Sequence, residues 1–447
     1  MASIFDLVLA NRPKKSVFDL SHERKMSGNM GYLYPIMVQE VIPGDKFRVN
    51  TEILLRMSPL VAPMMHRCNV YTHYFFVPNR LLWSDWEEFI TGGRDGKQEP
   101  VPPTIRVNLG EQDLPLKTGE LPDYMGIPTF DTKITDPIDN SVEFGAMPFR
   151  AYQKIYNEYY RDQNLVNEVD VPMSGGPLDY DSDAGASDML VLRKRAWERD
   201  YFTSALPFTQ KGDPVTIPLG STNVVLDRSN AAPGVLKMAD PGDGSPAGNT
   251  LTTGGSPIGI DGRIFYGTTD GQSKPYVYDP NGTLKTSGGA AATINDLRAA
   301  FQLQKFQERN ARAGSRYTEV IKAHFGVRSS DARLQRPEYL GGGKSPVTIS
   351  EVLQTSETAS SPQGNMAGHG LSVGNTHSFK KYFEEHGYII GIMSVLPRTA
   401  YQQGLPKMYT RNDKTDYFWP EFQNLGEQAV LNRELYLQPY DLAGSPQ

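Results

Sequence analysis

Between residues 46 and 57 the chain reads KFRVNTEILLRM, with apolar and polar positions alternating. Phe47, Val49, Ile53, Leu55 and Met57 fall on one face of an extended strand and Arg48, Asn50, Glu52 and Arg56 on the other, with Leu54 out of step. V-I-P-G-D at 41–45 is turn chemistry, so 32–42 and 46–57 read as adjacent strands. Residues 68–77, CNVYTHYFFV, abandon the alternation. β-branched and aromatic residues occupy both parities and Pro78 closes the run, which predicts a strand buried on both faces. Asn79 then caps a short helix carrying Leu82, Trp86 and Phe89. In 149–163, Tyr152, Ile155, Tyr156 and Tyr159 share one helical stripe, and this helix is expected to lie within a long loop. Strand texture returns at 215–226, a helix is predicted over 293–314 with Gly314 ending it, and the chain from 348 onward is strand-rich, above all 377–396.

The pattern divides the chain into an N-terminal arm (1–30), a first β region (31–226), an insertion (227–290) and a second β region (291–447). Within the arm, S-I-F-D-L at 3–7 is echoed by S-V-F-D-L at 16–20; the Phe and Leu of each copy are anchors for an extended arm, or the echo is a coincidence. The insertion is rich in Gly, Ser, Asn, Asp, Thr and Pro, with strand-like pieces only at 263–266 and 276–278, and reads as an Ω-like excursion or a small β projection.

Composition agrees with this texture: 42 glycines and 33 prolines against a hydrophobic share of 38% favour short strands joined by long loops over helical bundles. A net charge of −6 excludes a protein that binds nucleic acid with its whole surface, so any such contact is local. One cysteine excludes an internal disulfide framework and a multi-thiolate zinc site, and a reducing compartment is expected. The run Ile4–Leu9 is too short and too acidic for a signal peptide, and no stretch approaches the roughly 20 apolar residues of a membrane span.

Candidate chemistry is sparse. His66, Cys68 and His73 lie close in sequence, but strand parity sends His73 to the face opposite the other two, and no fourth ligand is in view; no metal site is expected. Gly370-Leu371-Ser372-Val373-Gly374 fits the G-x-S-x-G nucleophile pattern without the strand before it and helix after it that the chemistry requires. Gly341-Gly342-Gly343-Lys344-Ser345 imitates the end of a phosphate loop whose first glycine would fall on Glu338. No catalytic set and no cofactor are expected. Arg298, Lys305, Arg309 and Arg312 recur at seven, four and three residues, one narrow stripe at about 100° per residue, which grips phosphates or is a solvated face. Arg12, Lys14, Lys15, Arg24 and Lys25 make a basic arm that either neutralises phosphate or packs between subunits against acidic neighbours.

Longer segments carry a resemblance: SVFDLSHERKMSGNMGYLYPI (16–36), EVIPGDKF (40–47), YFFVPNRLLWSDWEEFITG (74–92), LRKRAWERDYFTSALPFTQKG (192–212), the stretch from LQKFQERNARAG to EYLGGG (303–343), TSETASSPQGNMAGHG (355–370), and GLPKMYTRNDKTDYFWPEFQNLGEQAVLNRELY (404–436). Through most of its length the chain resembles the major capsid proteins of microviruses, the small single-stranded DNA bacteriophages, especially their gokushovirus branch. The resemblance implies a mainly β, eight-stranded viral jelly roll with long loop insertions and a few short helices. It implies pentamers and a T=1 shell of sixty subunits around circular single-stranded DNA, assembled in the bacterial cytoplasm with a small basic DNA-packaging protein and other phage structural or scaffolding proteins. The insertion then stands where the branch carries a threefold protrusion that meets a host receptor, with Gly254, Gly255, Tyr266, Tyr276 and Tyr278 as contact candidates. The alternative is a jelly roll that binds or cleaves carbohydrate, which needs a groove with paired carboxylates or aromatic platforms. Family chains continue with a further Tyr- and Arg-rich stretch beyond a segment like LGEQAVLNRELY, whereas this one stops at Gln447; if final strands are missing, an open sheet edge is expected.

Overall fold

The alternation over 46–57 is realised as strand β2, Lys46–Arg56, whose even-numbered residues face solvent while the odd-numbered ones turn inward. Leu54 obeys the geometry rather than its chemistry and stands 63% exposed. The structure is a computed structural model that describes residues 14–60, 64–110, 115–130, 141–216, 223–226, 236–239, 246–251, 276–278, 284–287, 293–353, 366–423 and 426–437. Two compact units emerge: Met1–Pro207 with Ala313–Gln447, and Phe208–Arg312.

In the first unit, β1 (Tyr34–Val41), β2 and β3 (Cys68–Pro78) come from the N-terminal part, and β12 (Glu338–Leu353), β13 (Met366–Tyr382) and β14 (Gly387–Pro397) from the C-terminal part. They form one antiparallel sheet in the order β1-β14-β3-β12-β13-β2. A tight turn with Gly44 at φ +95° separates β1 from β2, as the Pro-Gly-Asp sequence predicts, but the two are not adjacent in the sheet: β1 pairs with β14 and β2 with β13, at opposite ends of the strand order. β12 makes the sheet curl: Glu338–Val347 pairs with β3, then Thr348–Leu353 pairs with β13, so one strand serves both ends of the sheet. The β2–β13 end thereby folds over one face of β3, where Tyr74 and Phe76 meet Phe379 and Phe383, and Cys68 and Val70 meet Val347 and Val395. The opposite face of β3, with Phe75 and Val77, packs on a larger core, so the prediction of a strand buried on both sides holds. A curled, mainly β sheet of this kind is consistent with the expected jelly roll, but the described residues give six strands in it rather than eight.

The larger core is built on a smaller sheet, β4 (Thr104–Asn108) between β5 (Ser141–Gly145) and β6 (Pro177–Asp179), and on helix α3, Met147–Ile155. Pro148 fits the first turn of α3, where no amide hydrogen is needed. The helix is not an element within a long loop, as its position in the chain suggests, but the centre of this core: Phe149, Tyr152 and Ile155 are buried at 1%, 0% and 0% exposure. Each such side chain contributes about 1.5–3 kcal/mol by leaving water. Tyr156–Tyr160 continues it as a π turn, which lets Tyr156, Tyr159 and Tyr160 all reach the core. The helix expected after Asn79 is broken in two, a 3₁₀ turn Asn79–Leu81 and α1, Trp86–Thr91; Asn79 is a buried member of the first turn rather than its cap. α2 (Leu121–Met125), α4 (Ala184–Met189), α6 (Tyr317–Phe325) and α7 (Asn432–Leu435) are short.

In the second unit, β7 (Asn223–Leu226) pairs with β11 (Leu284–Ser287), and β8 (Leu236–Ala239) lies between β9 (Pro246–Leu251) and β10 (Tyr276–Tyr278). Helix α5, Ile294–Ala313, follows, with Gly314 at φ +114° just beyond its end, as the sequence predicts.

Candidate assembly and nucleic-acid surfaces

Residues 14–29 have no regular structure and run extended over the first unit. Their C-terminal part is strapped down. Arg24 donates from Nη2 to the Tyr124 carbonyl, Tyr124 donates its hydroxyl to the Ser27 carbonyl at 2.6 Å, and Tyr34 Oη takes the Asn29 amide at 2.7 Å. Gly28 is required here because a Cβ would collide with the Tyr34 ring. Partial burial lowers the Arg24 pKa, against the opposing pull of Asp123. Lys15 pins the arm further back, its Nζ donating to the Gly44 carbonyl at 2.7 Å and lying 5.2 Å from the centre of the Tyr382 ring. Lys14 and Lys25 are exposed, while Arg12 and the first S-I-F-D-L copy lie outside the described residues. The second copy touches little of its own chain: Val17 is 100% and Phe18 79% exposed. As anchors, these side chains find little to anchor to among the described residues of the subunit.

The segment after β14 presents the same feature. Over 401–423 and 426–437 the chain is mostly irregular, with brief 3₁₀ turns and the single turn α7, and Tyr409, Tyr417, Phe418, Trp419, Phe422 and Tyr436 are all exposed. On α5, Arg298, Lys305, Arg309 and Arg312 all face solvent along the predicted stripe, and Phe301 and Phe306 are exposed beside them. Tyr276 and Tyr278 occupy β10, opposite Ala239 and Lys237 of β8; Gly254, Gly255 and Tyr266 lie outside the described residues.

The enzymatic and metal motifs resolve into packing. His66 is exposed ahead of β3, Cys68 is buried with its thiol pKa raised, and His73 points to the other face, hydrogen-bonded through Nδ1 to the Tyr160 hydroxyl at 2.8 Å. No cluster of potential metal ligands forms among the described residues. Burial, then the charge of Arg195 and the nearness of His377, lower the His73 pKa to about 4. Ser372 sits mid-strand in β13 and donates its hydroxyl to the Pro346 carbonyl at 2.8 Å, with no turn to present it. The glycines around it make room for neighbours, Gly370 for Met57 and Gly374 for Ser345. Gly341–Ser345 is likewise strand, and a side chain at Gly342 would collide with the Thr72 carbonyl of β3. One serine does meet a histidine: Ser345 Oγ is hydrogen-bonded to His377 Nε2 at 2.7 Å. The pair is sealed at 5% and 0% exposure, and among the described residues no carboxylate bonds His377 Nδ1, so the orienting acid of a triad is missing. Burial lowers the His377 pKa, partly offset by the Gly343 backbone.

Sequence reasoning passed over the solvent face of β2 and β13. There Lys380 stands directly opposite Arg48 and Tyr382 opposite Lys46. The alternating cations of β2 were the available signal, but their partners on β13 are fixed only by tertiary pairing.

A curled β subunit with an apolar arm and an aromatic terminal segment left uncovered defines a class, the assembly subunit, whose surfaces are completed by neighbours. The chain belongs to the capsid protein (F protein) family, whose model matches residues 7–446. It is 40% identical over 439 residues to capsid protein VP1 of Bdellovibrio phage phiMH2K, covering 95% of this chain and 77% of that protein. Against VP1 of Chlamydia phage 1 the identity is 38% over 477 residues (95% and 78%), and against VP1 of Spiroplasma virus 4 it is 32% over 454 residues (97% and 79%). The resemblance to microvirus capsid proteins is borne out, and a major capsid protein is favoured over a carbohydrate-binding jelly roll. Among the described residues no helix is long and apolar enough to cross a membrane.

Proposed function

We propose that this capsid subunit forms pentamers and closes, sixty copies together, into a T=1 icosahedral shell around circular single-stranded DNA. The observation that carries the reading is the exposed second copy of the arm motif: Val17, Phe18 and Leu20 at 100%, 79% and 56% exposure are apolar side chains whose cover must come from another chain. The exposed aromatics of 401–437 support it as a second surface of the same kind. The subunit acts as a structural element and not as an enzyme. Its net charge of −6 leaves much of the neutralisation of the genome to a small basic packaging protein, aided by the arm cations and the α5 stripe. Phage scaffolding proteins guide closure in the bacterial cytoplasm, and the 227–290 insertion, with its tyrosines, meets the host receptor. Expression in bacterial cytoplasm with and without the phage partners, followed by sedimentation and electron microscopy, tests the reading. Pentamers or closed shells are expected, and a soluble monomer under both conditions would overturn it.

A further inference from the structure

The solvent face shared by β2 and β13 gathers positive charge toward the Lys46 end of β2. Lys380 and Arg48 are directly opposed, and such like-charged pairs, about 4.5–5.5 Å apart at Cβ, are destabilising. Lys46 lies on the same face two residues from Arg48, opposite Tyr382, and Lys15 of the arm arrives over the Tyr382 ring. Lys46, Arg48 and Lys380 form no ion pair or hydrogen bond among the described residues. The nearest acids along the two strands are Asp45, next to Lys46 in the turn before β2 with Oδ2 accepting the Ile42 amide at 3.3 Å, Glu52, on the same face four residues from Arg48, and Glu384, beyond the end of β13; Lys381, on the inward face, has its charge met by Glu338 at 2.6 Å.

Charged residues on an outer strand are commonly a defence against edge pairing. That accounts for Lys46 and Arg48. It does not account for Lys380, which sits on the inner neighbour and adds repulsion without guarding an edge, nor for the arm lysine brought over Tyr382. Further along the face, Leu54 and Val373 are directly opposed and 63% and 71% exposed, next to Leu371. Cations at one end, a half-exposed tyrosine among them and an apolar strip beyond match a polyanion that also has apolar faces to bury. Single-stranded nucleic acid has both, whereas a duplex keeps its bases stacked inside. The spacing agrees: same-face residues on a strand repeat at about 6.8 Å, comparable to successive phosphates of an extended single strand.

We propose that this face is a binding site for single-stranded DNA, with Lys15, Lys46, Arg48 and Lys380 on phosphates and Tyr382 as a platform for a base. The proposal rests on the shell reading and deepens it by naming where the strand lies. The test uses the full chain and fluorescein-labelled oligothymidylate, with binding followed by anisotropy across a salt series and shell formation followed in parallel by electron microscopy. Replacing Lys46, Arg48 and Lys380 together by glutamine is expected to reduce the slope of log K against log salt by about 2, since each single-strand phosphate contact contributes about 0.7. Tyr382→Ala is expected to weaken binding roughly tenfold at every salt concentration and leave the slope unchanged. Lys380→Gln alone relieves the like-charge pair, so its melting temperature should equal or exceed that of the parent; it lowers the slope by about 0.7 even if the triple variant fails to fold. A slope unchanged in the folded variants overturns the proposal. So does a triple variant that binds DNA normally but forms no shells, which would make the face a contact for an acidic surface of a second copy. Shells that form with the slope intact would leave the capsid reading standing and this site refuted.

Discussion

Gly343 has no room for a side chain: a Cβ there would lie 2.6 Å from His377 Nδ1, inside the sealed Ser345–His377 pair. Gly343→Ala is therefore expected to cost about 1–3 kcal/mol by overpacking, read as a shifted urea midpoint with unchanged m value. Ser372→Ala loses one hydrogen bond to a carbonyl, about 1 kcal/mol, and should leave any background ester hydrolysis where it was. The histidines set an acid limit. His73 has a folded pKa of about 4 against an ordinary 6.5, and His377 shifts the same way. Between those values the unfolded chain binds a proton that folded His73 refuses, so its contribution is whole above pH 6.5 and falls as the pH drops toward 4. For His73 the slope approaches about 1.4 kcal/mol per pH unit between those two values. Comparing urea midpoints of the parent and His73→Gln across this window isolates the effect, and parallel curves would refute it.

The elements differ in how openly the chain announces them. β2 is legible because its period of two reports a half-buried surface, and the exception proves local: Leu54 faces out with its parity, so Leu54→Thr should change stability by less than about 0.5 kcal/mol. α3 is legible as a helix but not as the centre of a core, because its stripe reports which face is buried and not what buries it. Phe149→Ala should cost about 3–5 kcal/mol in thermal or urea unfolding, more than a helix lying in a loop would lose. The π turn Tyr156–Tyr160 left no mark in the spacing, since a single extra residue per turn is decided by the tyrosines it must bring inward.

For the whole molecule the decisive property is what the subunit leaves uncovered. Phe18→Ser with Leu20→Ser removes apolar surface left largely uncovered by the described residues of its own chain, so subunit melting should hardly move while the yield of shells by sedimentation falls sharply. A loss of subunit stability with normal shell yield would show that the arm serves the fold instead. The Arg48–Lys380 pair and the exposed terminal aromatics belong to this scale too, since each makes sense only with something beyond the chain placed against it.

The sequence by itself determined the strands of period two, the doubly buried β3, the turn at Gly44, the end of α5 and, through segments spread along the chain, the family. These are local properties, or properties of segments long enough to be matched as they stand. Only the tertiary structure decided that β12 spans both ends of the sheet, that Ser345 meets His377, that the glycine runs are clearances rather than phosphate or nucleophile loops, and that Lys380 lies against Arg48. The physical reason is strand pairing: hydrogen-bonded neighbours distant in the chain are chosen by the fit of whole faces, which no window of sequence contains.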